Sequence, residues 1–291
     1  MTFEILSRLE SLFAAGNQSI AWRQQALLDA EQSLTPLEFQ LVTQTLCERF
    51  ADAQADLQNL RLSQLLAKEA PARYIRRPIA PDITLFHDPD VDRACKCLVF
   101  AFCGLSKRLM IPTGAFLQLL PCKEVDVVVV NDPHRNHFAH GCGEYAADFF
   151  QLVTRLAKDL KPHNYKNVCC FGTSMGGFAA LRCGLLLQTK SISVGGRFPW
   201  HIQRLVTGLA MPAFDLLCAC KASDAVEFVC VYGIEKDRTA VDHLATMFPV
   251  TRVPIRDATG HNVIFKMWKE GTLRQFYREH FVFDPVVAGK S

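Results

Sequence analysis

The stretch Val168-Cys169-Cys170-Phe171-Gly172-Thr173-Ser174-Met175-Gly176-Gly177-Phe178 runs a hydrophobic strand pattern straight into Gly-x-Ser-x-Gly and then into an apolar, helix-like segment. A serine hydroxyl is a poor nucleophile until a neighbouring base takes its proton, and it must stand clear of the backbone to reach a carbonyl carbon. A strand that turns sharply into a helix meets the second need: serine takes a strained corner and its hydroxyl projects above the sheet. Gly172 and Gly176 stand where a side chain would collide with the adjoining strand or helix. Ser174 is therefore the candidate nucleophile, and the chemistry it suits is acyl transfer through a covalent intermediate.

This strand–turn–helix, in its Gly-Thr-Ser-Met-Gly-Gly form, resembles the α/β-hydrolase superfamily, and within it the esterases and acyl-ester hydrolases, over about residues 83–283. The resemblance implies that an acid and then a histidine follow the serine, each in a loop at the carboxyl end of a later strand. Glu227-Phe-Val-Cys-Val-Tyr-Gly233-Ile-Glu235-Lys236-Asp237-Arg238 supplies the acid loop. Asp237 is the preferred acid; the family's usual place, three residues after the glycine, holds Lys236, so Glu235 stands as the alternative. Val253-Pro-Ile-Arg-Asp257-Ala-Thr-Gly260-His261-Asn262 supplies the histidine, and His261 would take the proton from Ser174 and return it to the leaving group. The developing oxyanion would be held by the backbone amides of Met175 and Leu105, with Gly104 clearing space beside them. Cys103 stands where the family's His-Gly loop carries histidine. The chemistry calls for no cofactor.

Other clusters are less specific. Asn131-Asp132-Pro133-His134-Arg135-Asn136-His137-Phe138-Ala139-His140-Gly141-Cys142 gathers three histidines at three-residue spacing. Helical histidine pairs can bind zinc, but the flanking Asp-Pro and Gly-Cys-Gly favour an irregular loop, and no metal is expected. The same loop follows a strand, which makes Asp132, His134 and Arg135 candidates for lining the substrate mouth. Lys107 and Arg108, beside the oxyanion loop, are read either as contacts for an anionic group or as solvated surface charge. Phe198-Pro199-Trp200-His201 and the apolar stretch to Cys220 occupy the place of the superfamily's lids, and Trp200 is a candidate for the acyl-binding wall.

Positioning such residues needs a sheet. After Pro81 short β-rich runs alternate with segments long enough for crossover helices, which predicts a doubly wound, mostly parallel α/β sheet. The strands are expected at Cys97–Phe102, Val125–Val130, Val168–Phe171, Ser191–Val194, Glu227–Tyr232 and Val250–Pro254. Helices are expected at Gly143–Leu160, Ser174–Leu187, Asp237–Met247 and Phe265–His280. Residues 1–72 read as a small helical segment, because Phe3, Leu6, Leu9 and Phe13 recur at helical steps, as do Val42, Leu46 and Phe50. Thr35-Pro36-Leu37-Glu38 carries a helix-start signature. Glu69–Asp82, with three prolines and Arg73, Arg76 and Arg77, is read as a linker before the catalytic domain, 73–291.

Composition narrows the function. Apolar residues make up 49% and charged residues 21% of the 291, the balance of a folded chain with a sizeable core. The 32 basic and 29 acidic residues are mixed along the chain, and a net charge of +3 gives no field for nucleic acid or an anionic membrane. The longest apolar stretch, Leu205–Cys220, is interrupted by Asp215 and too short to span a bilayer. The start lacks the basic and apolar regions of a secretory signal. Several of the 12 cysteines sit inside strand patterns, so a reducing, cytoplasmic setting is expected. The expected function is hydrolysis of an ester or thioester, small or carrier-bound. The alternatives are an acyltransferase using the same acyl-enzyme, for example O-acetyl transfer to a glycan, and a non-catalytic hydrolase-fold scaffold. The N-terminal helices are candidates for contact with a partner or a second subunit.

Overall fold

The structure, a computed structural model, describes residues 1–16, 20–198, 226–234, 237–258 and 261–282. The chain divides into two compact units, one of residues 1–76 with 111–122, the other of 77–110 with 123–291.

The first unit is helical: α1 Thr2–Ala14, α2 Ile20–Ser33, α3 Pro36–Arg49, α4 Ala53–Leu57 and α5 Arg61–Leu66 pack with α6, Thr113–Gln118. Its core is built from Leu9, Phe13, Leu27, Phe39, Leu46 and Ala115. At the start of α3 the Thr35 hydroxyl accepts from the Glu38 amide (3.3 Å) while the Glu38 carboxylate accepts from the Thr35 amide (2.9 Å), so two amides that a helix start leaves unpaired are satisfied. Arg23 is buried against the Phe13 ring and held by Asp52 and Asp56. Sequence reading did not anticipate that α6, far along the chain, would complete this core. Gly114 is what permits it, since a Cβ there would meet Leu62 at 2.7 Å and the Glu31 carbonyl at 2.8 Å.

The second unit carries an eight-stranded sheet in the order β1-β2-β4-β3-β5-β6-β7-β8. The strands are β1 Ile75–Ala80, β2 Ile83–His87, β3 Cys97–Phe102, β4 Val125–Val130, β5 Asn167–Thr173, β6 Lys190–Val194, β7 Phe228–Gly233 and β8 Val250–Ile255. β2 runs antiparallel to β4, and every pairing from β4 through to β8 is parallel. This is the doubly wound, mostly parallel sheet expected from the sequence. One expectation is corrected: Glu69–Asp82 is not a linker throughout, because Ile75–Ala80 pairs as β1. Its Pro78 is compatible with a strand because β1 lies at the sheet edge, where one side needs no amide donor.

Helices cover both faces. On one, α7 (Phe149–Leu160) buries Phe149, Leu152, Val153, Leu156 and Leu160 against Leu98, Phe100 and Phe102 of β3. Asp148 caps α7 by accepting from the Gln151 amide at 2.8 Å, so the helix starts later than Gly143, and residues 143–145 form a separate 3-10 turn. α8 (Met175–Leu187) is buried almost all round, which is why it shows no apolar stripe. On the opposite face Phe171 meets Tyr277 and Phe281 edge-on at 5.8 and 5.4 Å. Phe171 and its neighbour Cys170 thus serve opposite faces, as the two-residue period of a strand requires. The terminal segment, expected as one helix, is two, Val263–Lys269 (α10) and Leu273–Phe281 (α11), separated at Gly271, whose φ is +70°. Arg238–Leu244 forms α9.

Candidate active site

Because β3 to β8 are parallel, their carboxyl ends lie along one edge, and the loops leaving that edge carry the candidate residues. Ser174 leaves β5 with φ 54° and ψ −118°, a corner region that L-residues rarely occupy, and is the residue before α8. Three contacts force this turn. A Cβ on Gly172 would fall 2.0 Å from the Gly176 carbonyl oxygen, and one on Gly176 would fall 2.1 Å from the Phe102 carbonyl oxygen. The Ser174 amide donates to the Val194 carbonyl at 2.9 Å, pinning the corner to the end of β6. The two glycines are therefore demanded by backbone approach, as the sequence implied.

His261 and Ser174 line one cleft of about 550 Å3 together with Gly104, Leu105, Arg108 and Arg135. The imidazole rests on Gly195, where a Cβ would come within 3.3 Å of the ring; Gly195 itself has φ +53°. His261 Nδ1 faces Asp237 Oδ1 at 3.9 Å, and Asp237 is the better buried of the two, 14% exposed against 30%. The other nitrogen, Nε2, is buried with no hydrogen-bond partner among the described residues, as is Asp237 Oδ2. An imidazole with its Nδ1 side turned to a carboxylate and its Nε2 unengaged has the orientation a general base requires. Glu235, the alternative acid, and Trp200 lie outside the described residues, as does the stretch Leu205–Cys220.

The loop after β3 lies close to the nucleophile. A Cβ on Gly104 would meet the Ser174 Cβ and the Thr173 carbonyl, both at 3.3 Å, so glycine is what lets the loop approach. Its conformation is fixed by the Arg108 carbonyl, which accepts from the Gly104 amide at 2.9 Å and from the Thr173 hydroxyl at 3.4 Å. Leu105 lines the cleft and is 55% exposed, and Met175 opens α8, where a helix's first amides have no intrahelical acceptor. Cys103 is fully buried, and burial pushes its thiol well above the usual range, so it does not compete as a thiolate nucleophile.

The histidine-rich loop after β4 does something other than expected. Asp132 does not line the cleft: it is 2% exposed and its carboxylate accepts from the amides of His134 (2.9 Å), Asn136 (2.8 Å) and Phe138 (2.8 Å). It organises a loop whose backbone takes positive φ at Arg135, His137 and Phe138. Phe138 is thereby driven into the core, edge-on to Phe102 at 5.3 Å. His134 is exposed and packs against His140 rather than the cleft; Arg135 alone of this trio lines it. His137 is partly buried, and loss of solvation lowers its pKa. Among the described residues no group of three or more His, Cys, Asp or Glu could hold a metal ion, and no helix is long and apolar enough to cross a membrane. Gly195 and Met110, which flank the imidazole, were not singled out from sequence; a glycine one residue beyond a buried strand was the available signal.

No family model matches the sequence, and no curated protein is similar to it by sequence. Solved structures are similar in chain path. They include the fluorophosphonate-binding serine hydrolase F of Staphylococcus aureus, at 13% identity over 70% of this chain and 98% of that one, TM-score 0.47. A siderophore hydrolase of Aspergillus nidulans is similar at 14% identity over 74% and 96%, TM-score 0.48. Esterase B of Lactobacillus rhamnosis is similar at 12% identity over 81% and 94%, TM-score 0.48. Likeness at this level says nothing about chemistry, which rests on the residues themselves.

Proposed function

We propose that this chain is a serine hydrolase that cleaves an ester or thioester, small or carrier-bound, through an acyl-Ser174 intermediate. The observation that carries the reading is the strained Ser174 corner, which shares one cleft with an imidazole backed by a carboxylate. His261 Nε2 takes the hydroxyl proton as Ser174 Oγ bonds to the acyl carbon, and the carbonyl oxygen gains the negative charge. The Met175 and Leu105 amides are the donors for that oxyanion. Its collapse breaks the bond to the leaving oxygen or sulfur, which departs with the proton from His261. Water then repeats the sequence: it yields a proton to His261, attacks the acyl carbon, and Ser174 Oγ leaves and is reprotonated. Asp237 stabilises the imidazolium. Bringing it into hydrogen-bond reach of Nδ1 takes a shortening of about 1 Å, of the kind that accompanies substrate binding.

Stopped-flow hydrolysis of p-nitrophenyl butyrate tests this. The expected result is nitrophenolate release with a burst no larger than the enzyme concentration, formation of free butyrate, and loss of turnover by about 10^4-fold or more in Ser174→Ala. A chain that releases nothing above the Ser174→Ala background is not such a hydrolase. Product formed only when a sugar or other hydroxyl acceptor is added would instead assign acyl transfer.

A further inference from the structure

The cleft that holds Ser174 and His261 is lined by two arginines, Arg108 and Arg135, and by no carboxylate among the described residues. The nearby acids are already engaged. Asp132 is saturated by three amides, Asp237 faces the imidazole, and Asp82 pairs with Lys107 at 2.9 Å. The two guanidiniums have no hydrogen-bond or ion-pair partner among the described residues, whereas Arg49, Arg76 and Arg252 are each held by a carboxylate.

Their backbones are held firmly. The Arg108 carbonyl ties it to Gly104 and to Thr173, the residue before the nucleophile. Arg135 sits at φ 54° between two residues whose amides both bind Asp132. Two arginines with fixed backbones line the cleft, and their guanidiniums have no partner among the described residues, so positive charge is concentrated near the reacting serine. Such charge raises the local concentration of an anion, and guanidinium forks match the two oxygens of a carboxylate or phosphate.

We propose that Arg108 and Arg135 form an anion subsite, so that the enzyme prefers substrates carrying a carboxylate or phosphate close to the scissile bond. The assignment rests on the serine-hydrolase reading and names the substrate class for that site. It makes Arg108 and Arg135 the residues that set specificity.

The test compares kcat/KM for mono-p-nitrophenyl succinate and p-nitrophenyl butyrate, which differ in the acyl terminus. A second pair, 4-acetoxybenzoate and phenyl acetate, puts the anion on the leaving group. Each pair is measured for the wild type, Arg108→Met and Arg135→Gln, with fluorophosphonate labelling of Ser174 recorded for every protein to show that its site is assembled. One charge-assisted contact corresponds to roughly ten- to hundredfold in a rate or affinity ratio. The anionic-to-neutral ratio should therefore fall about tenfold or more in at least one variant, for one substrate pair, and that pair tells which side of the bond carries the anion. In the wild type the same ratio should drop as salt rises from 20 to 500 mM, values chosen to span a screening length from about 20 Å to a few Å. Ratios that stay within about twofold in both variants and both pairs, while Ser174 labels and neutral esters turn over, would overturn the subsite and leave the hydrolase reading intact. No labelling and no turnover of any ester would overturn both.

Discussion

Replacing the nucleophile should stabilise the protein if glycine is used and not if alanine is used. Ser174 occupies φ 54°, ψ −118°. For a residue with a Cβ such a corner costs about 1–3 kcal/mol, held in place by the packing of Gly172 and Gly176 and by the 2.9 Å hydrogen bond to Val194. Alanine keeps the Cβ and so keeps the strain. Glycine removes it, at a cost of about 0.5–1 kcal/mol from the greater freedom of its unfolded chain. The difference places Ser174→Gly level with Ser174→Ala or up to about 2.5 kcal/mol above it, the reverse of the order at ordinary positions. Urea unfolding of the two variants side by side reads this as a midpoint for glycine at or above that for alanine, at unchanged slope. If alanine is the more stable by 0.5 kcal/mol or more, the corner stores no strain and the account of the turn fails.

Other consequences are equally concrete. Gly176→Ala would place a Cβ 2.1 Å from the Phe102 carbonyl oxygen, an approach only backbone movement relieves, so a loss of several kcal/mol, or of soluble protein, is expected in expression and urea unfolding. Lys96 and Asp126 form a buried ion pair at 2.8 Å, joined by the Tyr165 hydroxyl at 3.0 Å; Asp126→Asn strands the ammonium and should cost about 3–5 kcal/mol by the same measurement. Burial lowers the pKa of His87, His137 and His280, with the charges of Arg77, Arg197 and Lys190 among the groups pushing the same way and Asp126, Asp132 and Glu227 opposing. Unfolding therefore takes up protons: their contribution is complete above the unfolded histidine value of about 6.5 and is lost as pH falls through the lowered folded values. The urea midpoint should drop between pH 7.5 and 5.5, and less steeply in His280→Gln; a midpoint that rises over that range contradicts the assignment.

The central strands were legible because a parallel strand covered on both faces is apolar at nearly every position, Asp126 being the exception that its pairing with Lys96 permits. Cys97–Phe102, Val125–Val130 and Phe228–Gly233 are buried throughout. β1 escaped notice for the opposite reason: at the edge its residues are half exposed, Pro78 costs nothing, and no alternation marks it. Ser174 and the glycines around it, Gly172 and Gly176, announced themselves because backbone crowding dictates residue type. Asp132 misled because a carboxylate's partners can be the amides of its own loop, which side-chain types do not reveal; an acid just before proline at a strand end was the only hint. The contribution of α6 to the helical unit is a long-range fact of chain path, with Gly114 as its one local trace.

The most direct test of the central claim is covalent labelling by a fluorophosphonate, with the modified residue mapped by mass spectrometry in the wild type and in His261→Ala, Asp237→Asn and Glu235→Gln. The account predicts a single adduct on Ser174, slowed by orders of magnitude in His261→Ala and Asp237→Asn and retained in Glu235→Gln. An adduct elsewhere, or a rate on Ser174 indifferent to His261, would contradict it.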